Sequence, residues 1–190
     1  MLAVEYPPFT TSQVASNGIA FELLEKAALS DSVEWRAVYA PPGRAAEMIK
    51  AGEWCASFYP VEEDIESRSI TLSQSEVSIG LVRQTQSTPF KWNDLSELKN
   101  KSVALLRTRE GSTFAQQFSD AGLDVVFIEN IETGLKLVKR SRVDFTLSDN
   151  IFYVQQNDRD LQFSKTTILT TPITLFINPE CSVMDEFDVD

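Results

Sequence analysis

Lys101-Ser102-Val103-Ala104-Leu105-Leu106-Arg107-Thr108-Arg109-Glu110-Gly111-Ser112-Thr113 decides how the rest of the chain is read. Val103 to Leu106 is an apolar run of strand length, and the polar residues after it form a turn. Gly111 permits a tight backbone path, and Ser112 or Thr113 is placed to cap the helix that continues through Phe114-Ala115-Gln116-Gln117-Phe118. A helix start presents N–H groups and the positive end of a dipole, which suit a carboxylate or phosphate. The same turn also serves as an ordinary capped strand-to-helix connection. The flanking sequence bears on which reading applies.

On the carboxyl side, the helix over 113–121 ends at Gly122, and Val125-Val126-Phe127-Ile128 reads as the next strand. A helix from Ile131 to Arg140 has apolar residues at 131, 135 and 138, and Val143-Asp144-Phe145-Thr146-Leu147 reads as a third strand. The amino-terminal half shows the same order. A strand over Leu2 to Tyr6 ends at Pro7-Pro8, and a polar loop leads to a helix over 18–29. A strand over 33–39 alternates Val33, Trp35, Ala37 and Tyr39. The break Pro41-Pro42-Gly43 precedes a helix over 44–51, and a strand over 54–59 stops at Pro60. Each half is thus a β-α-β-α-β unit, the pattern of a parallel sheet covered by helices.

Between the halves lie an acidic turn or short helix at 62–68, a strand at 77–82, a polar proline-containing stretch at 84–91 and a short helix at 94–98. Ile173 to Ile177 is a last strand placed to return to the first half. The expected architecture is α/β with two lobes: residues 1–83 plus 171–190, and residues 84–170. Hinges are expected near Val82–Thr88 and Leu169–Ile173, with a ligand cleft at the carboxyl ends of the two sheets.

Composition removes several classes of function. The 190 residues are 43% hydrophobic and carry a net charge of −11. Five acids and no base lie in the last eleven residues, and the remainder is acidic without them. Binding to a phosphate backbone requires a basic surface, so nucleic acid is not an expected partner. With no histidine in the chain, His-based triads and His-ligated zinc are excluded. Neither a metal nor a cofactor is expected. No apolar run reaches the ~18 residues of a membrane span. Leu2-Ala3-Val4 reads as a strand and not as the core of a signal peptide. A disulfide is open to Cys55 and Cys181 in an oxidising compartment, but two unpaired buried thiols are the expectation.

Several short motifs resemble the bacterial extracellular solute-binding proteins of family 3, the amino-acid-type periplasmic binding proteins of ABC importers. Tyr6-Pro7-Pro8-Phe9 followed by Gly18-Ile19-Ala20-Phe21-Glu22-Leu23-Leu24 is similar to the family's opening. Arg44-Ala45 with Lys50-Ala51-Gly52-Glu53 resembles its helix before the third strand, and Arg68 with Ser73-Gln74-Ser75 its arginine-then-serine pattern. Asp94-Leu95 with Leu98-Lys99-Asn100-Lys101-Ser102-Val103-Ala104 resembles its entry into the second lobe. Gly111-Ser112-Thr113 is similar to its anion-binding turn, and Arg142-Val143-Asp144 with Asp149 to the stretch whose second aspartate holds an amino group. The order of these motifs is more specific than any one of them.

The resemblance implies a type 2 periplasmic-binding fold with the family's C-terminal helices missing or truncated. It implies a small carboxylate such as an amino acid as ligand, hinge closure, a permease as partner and the periplasm as location, with no signal peptide in this chain. A ligand-sensing domain of a receptor is the alternative; a dehydratase-type enzyme on the same fold has no paired carboxylates to support it.

Each candidate site residue has a second reading. Arg68 either pairs bidentately with a carboxylate or neutralises Glu62, Glu63, Asp64 or Glu66. Ser112 and Thr113, after Gly111, bind the same carboxylate or cap their helix. Asp149 holds an ammonium or serves as a plain helix or turn cap. Tyr6, Phe9 and Tyr59 lie at strand ends where rings can sandwich a ligand, and Phe9 also suits a core cover. Arg44 and Arg107 read as solvated surface cations. Strand parity turns Asp144 away from Asp149 and leaves it outside the site.

Overall fold

The computed structural model describes residues 1–27, 34–107 and 111–181. The end of the first expected helix (Ala28, Leu29), the start of the second strand (Val33), Thr108 to Glu110 and the acidic tail beyond Cys181 lie outside the described residues. The chain divides into two compact units, Met1–Glu76 with Pro172–Asp190, and Val77–Thr171.

In the first unit β1 (Leu2–Ala3), α1 (Ile19–Lys26), β2 (Val38–Tyr39), α2 (Pro42–Lys50) and β3 (Ala56–Ser57) follow one another as expected. β1 pairs in parallel with both β2 and β3, with Leu2 opposite Val38 and Ser57. The strands are shorter than their apolar stretches suggested because loop residues continue the burial beyond the ladder. Trp54 and Val4, outside the strands, are core residues packed with Leu2, Ala45 and Ile49. α2 starts at Pro42, two residues earlier than the break at Pro41-Pro42-Gly43 implied. Proline fits the first helical position, where its missing N–H costs no bond. At 62–68 the turn alternative holds, with Ile65 N–H donating to the Glu62 carbonyl at 3.0 Å, and no helix forms.

The second unit repeats the pattern with β5 (Ser102–Leu106), α3 (Thr113–Asp120), β6 (Asp124–Ile128), α4 (Ile131–Lys139) and β7 (Phe145–Asp149). β5 is central, parallel to β6 over Ser102–Leu106 and to β7 at Val103 and Ala104. Leu81, Phe90, Val103, Leu105, Phe118 and Phe145 form its main core. Gly134 lets α4 approach β7 closely, since a Cβ there would overlap Thr146 Oγ1 and sit 2.8 Å from Ile128 Cδ1.

Two long strands accompany the parallel units. β4 (Arg68–Gln84) and β8 (Leu161–Ile177) have 17 residues each, and both contain a point at which the chain passes from one unit to the other. The passages fall at 76/77 and 171/172, where the sequence placed them at 83/84 and 170/171. β4 runs antiparallel to β7, and the end of β8 runs antiparallel to β3, with Ala56 opposite Ile177. The Ser/Thr/Gln-rich residues at 69–75 and 164–171, to which the sequence assigned no element, are extended. Ladder hydrogen bonding does not require an apolar face, and the β-branched Ile70, Thr71, Thr166, Thr167 and Ile168 favour extension.

A short helix, α5 (Asn150–Gln156), follows β7 and was not expected from the sequence. Among the described residues no helix is long and apolar enough to cross a membrane.

The two cysteines are joined, contrary to the sequence expectation of unpaired buried thiols. Cys55 and Cys181 form a disulfide with a Cα separation of 5.3 Å across 126 residues of sequence. Pairing of β3 with β8 makes this contact, because Asn178 N–H donates to the Cys55 carbonyl at 2.9 Å just beyond the ladder. Cys55 is also exposed, not buried.

Candidate functional site

In the second unit β5 and β7 are parallel neighbours, so the turn after β5 and the last residue of β7 lie at the same end of the sheet. The turn brings Gly111, Ser112 and Thr113 to the start of α3. Gly111 has φ +78 with nothing within 4 Å of where a Cβ would stand, so glycine is favoured by backbone conformation and not by space. Ser112 is the N-cap residue and is buried, yet its hydroxyl makes no capping bond to the helix. Its carbonyl accepts from Gln116 N–H at 3.0 Å, the first turn of a regular helix. A helix start of this kind directs N–H groups and positive dipole outward.

Asp149 closes β7 and is fully buried. Its Oδ1 accepts from Phe152 N–H at 2.7 Å, which makes it the N-cap of α5. The helix-cap alternative read from the sequence is therefore realised, and it fixes the carboxylate at the strand's carboxyl end. Asp144 stands at the other end of the same strand. Its Oδ2 accepts from Ser102 N–H (2.9 Å) and Oγ (3.0 Å), and its Oδ1 from Lys101 Nζ (3.2 Å). Burial pushes its carboxyl up, but these donors outweigh that and hold it below the usual carboxylate range. It is a structural anchor, outside the candidate site. Arg107 pairs with Glu129 at 2.7 Å, both half exposed, and Arg44 faces Glu53 at 3.6 Å; both are surface cations.

In the first unit the residues after β1 fold into a loop that returns to α1. Tyr6 bridges Thr10, its ring stacks on Phe9 at 5.8 Å, and the Pro8 and Phe9 carbonyls accept from the first amides of α1. Phe9 is buried and covers the core, whereas Tyr6 and Tyr59 are half-buried and pack against the same cluster of Leu2, Val4, Ala45, Ile49 and Trp54. Burial and then the charge of Glu62 push the Tyr59 hydroxyl up, so it stays a protonated donor. Arg68, the first residue of β4, is exposed.

Two residues that the sequence did not mark for the site hold this loop. Glu5 Oε1 accepts from Ser12 N–H (2.9 Å) and from Ser12 Oγ, bracing the loop across seven residues. Tyr39, at the end of β2, donates its hydroxyl to the Asn17 carbonyl at 3.3 Å. Burial and then the charge of Glu5 push that hydroxyl up. Nothing local in the sequence pairs Glu5 with Ser12; the closed loop does. The structure thus gathers Tyr6, Phe9 and Tyr59 in one unit, and Gly111, Ser112, Thr113 and Asp149 in the other.

No family model and no curated protein matches the chain. Solved structures do. The ligand-binding core of GluR0 in complex with L-glutamate matches with a TM-score of 0.74 at 21% identity, over 98% of this chain and 87% of that one. Holo ArgBP from T. maritima matches with a TM-score of 0.72 at 18% identity, over 98% and 85%. An ancestral arginine-binding protein bound to arginine matches at 0.71 and 19%, over 98% and 87%. The chain shares their fold. At this identity the likeness concerns the fold alone, and it agrees with the type 2 periplasmic-binding architecture implied by the sequence motifs. Two of these neighbours are arginine-binding proteins by name or abbreviation and the third is a ligand-binding core.

Proposed function

We propose that this protein binds a small zwitterionic carboxylate, an α-amino acid, and does so by closure of its two units on the ligand. The observation that carries the reading is the pairing of a helix start and a carboxylate at one end of the second unit's sheet. The turn Gly111-Ser112-Thr113 offers donors to a ligand carboxylate, while Asp149, at the end of the neighbouring strand, offers an acceptor to its ammonium. From the first unit, Arg68 contributes a cation for the carboxylate and Tyr6 and Tyr59 contribute aromatic surface. A ligand that contacts residues of both units only when they close shifts the population by that difference in affinity.

The arginine and L-glutamate complexes among the fold neighbours support the amino-acid class. Charge narrows it. The first unit holds seventeen acids against five Lys or Arg, whereas the second holds eleven against twelve, so the long-range field favours ligands of net positive charge. In this reading the chain serves an ABC uptake system in the periplasm, with the permease as partner of the closed form. The exposed disulfide is in keeping with an oxidising compartment. A second reading, a ligand-sensing module, is favoured by the likeness to the GluR0 ligand-binding core.

Thermal unfolding against a panel of amino acids, dicarboxylates, polyamines and sugars tests the class. One amino acid at 100 times its Kd is expected to stabilise by about 2.7 kcal/mol, a shift of about 5–10 °C. A shift produced by sugars or polyamines and by no amino acid overturns the reading.

A further inference from the structure

The disulfide stands apart from the candidate ligand residues, at the opposite, amino-terminal end of the first unit's parallel strands. Cys55 immediately precedes β3, and Cys181 follows the return strand β8. A hollow of about 560 Å³ opens beside them, walled by both cysteines together with Met1, Val38, Met48 and Trp54. Cys55 is exposed, Cys181 is half-buried, and both line this hollow. The bond ties the segment after β8 to β3, beyond the point where Leu175 and Ile177 are buried against Leu24 and Ala56. Beyond the two ladder pairs of β3 with β8, Asn178 N–H donates to the Cys55 carbonyl, Asn178 Nδ2 to the Trp54 carbonyl, and Cys181 N–H to the Asn178 carbonyl at 3.2 Å.

We propose that Cys55–Cys181 is a thiol–disulfide exchange site for a dithiol protein, and that its reduction loosens the end of the return strand. The partner's thiolate attacks the Sγ of Cys55, the more exposed of the two residues, and forms a mixed disulfide. The bond to Cys181 breaks, and Cys181 leaves with the electron pair as a thiolate, which takes a proton from water. The partner's second thiolate then attacks the partner's own sulfur in the mixed disulfide and releases Cys55 as a thiolate. The partner dithiol is oxidised to a disulfide, and this protein gains two electrons and two protons. Such exchange requires access to the attacked sulfur, which the hollow provides.

The test uses the intact oxidised protein and a thioredoxin-type dithiol protein whose resolving cysteine is replaced by serine, so that the first step is trapped. In native buffer a mixed disulfide is expected, and peptide mapping is expected to place it on Cys55. In parallel, reduction by dithiothreitol without denaturant is expected to speed hydrogen exchange of the Asn178 and Cys181 amides by at least about tenfold, with the β5 amides unchanged. Reduction that occurs only in denaturant overturns the proposal, as does an adduct on Cys181. Reduction that leaves exchange at Asn178 and Cys181 unaltered overturns the part concerning the return strand.

Discussion

Asp144 illustrates how a single carboxylate is committed by its neighbours. Three donors from Lys101 and Ser102 converge on it and depress its pKa against the opposing effect of burial. A depressed folded-state pKa means that its stabilising contribution is complete above the unfolded value of about 3.9 and is lost as pH falls through the lower folded value. The sign is therefore loss of stability with acid, beginning near pH 4. Asp144→Asn is expected to lower the urea midpoint at pH 7 and to flatten the fall in midpoint between pH 5 and pH 3. An unchanged acid slope in the variant would show that the donors do not stabilise the charged form. Strand parity in the sequence set Asp144 and Asp149 on opposite faces, and the structure sets them at opposite ends of β7. The partners of Asp149 were less legible: that it caps a helix depends on α5, whose seven residues Asn-Ile-Phe-Tyr-Val-Gln-Gln lack the repeated apolar spacing of an amphipathic helix. Glu5 and Tyr39 were missed for a similar reason, since their roles arise from contacts across a closed loop.

Elements bury one another through specific close approaches, and α4 against β7 is one of them in the second unit. Gly134 is a poor helix former, so Gly134→Ala would by propensity alone stabilise an exposed helix by about 1 kcal/mol. Here the added methyl meets Thr146 and Ile128, both buried in close packing. The overpacking term of about 1–3 kcal/mol is expected to win, giving net destabilisation by urea denaturation. A more stable variant would mean that α4 is free to shift outward. The helices and parallel strands were legible because their apolar residues repeat at helical spacing or run uninterrupted. β4 and β8 were legible only in their apolar thirds. The burial pattern of β4 from Arg68 to Glu76 is almost wholly exposed or half-buried, so the strand there carries no hydrophobic signal, only β-branched residues among serines and glutamines.

At the scale of the molecule, the first unit is assembled from two stretches of chain separated by the whole of the second. Leu175 and Ile177 bring buried surface back to Leu24 and Ala56, and the disulfide closes the return covalently. Cross-linking a loop of this length constrains the unfolded chain, so the Cys55→Ser, Cys181→Ser double variant is expected to lose about 2–5 kcal/mol by urea denaturation. A loss below about 0.5 kcal/mol would show that the return strand is held by its burial alone. The repeat of two β-α-β-α-β units was legible from chain order. The disulfide was not, because 126 residues of separation give no local sign that β3 and β8 meet.

The central claim, a site built for both ends of an α-amino acid, is tested most directly by calorimetric titration of one ligand and its two truncations. The amino acid selected by thermal unfolding is compared with the amine that lacks its carboxylate and the acid that lacks its ammonium. Loss of either charged contact is expected to weaken binding by about 100-fold or more, equivalent to about 2.7 kcal/mol. Equal affinity for the amino acid and either truncated analogue would contradict the account.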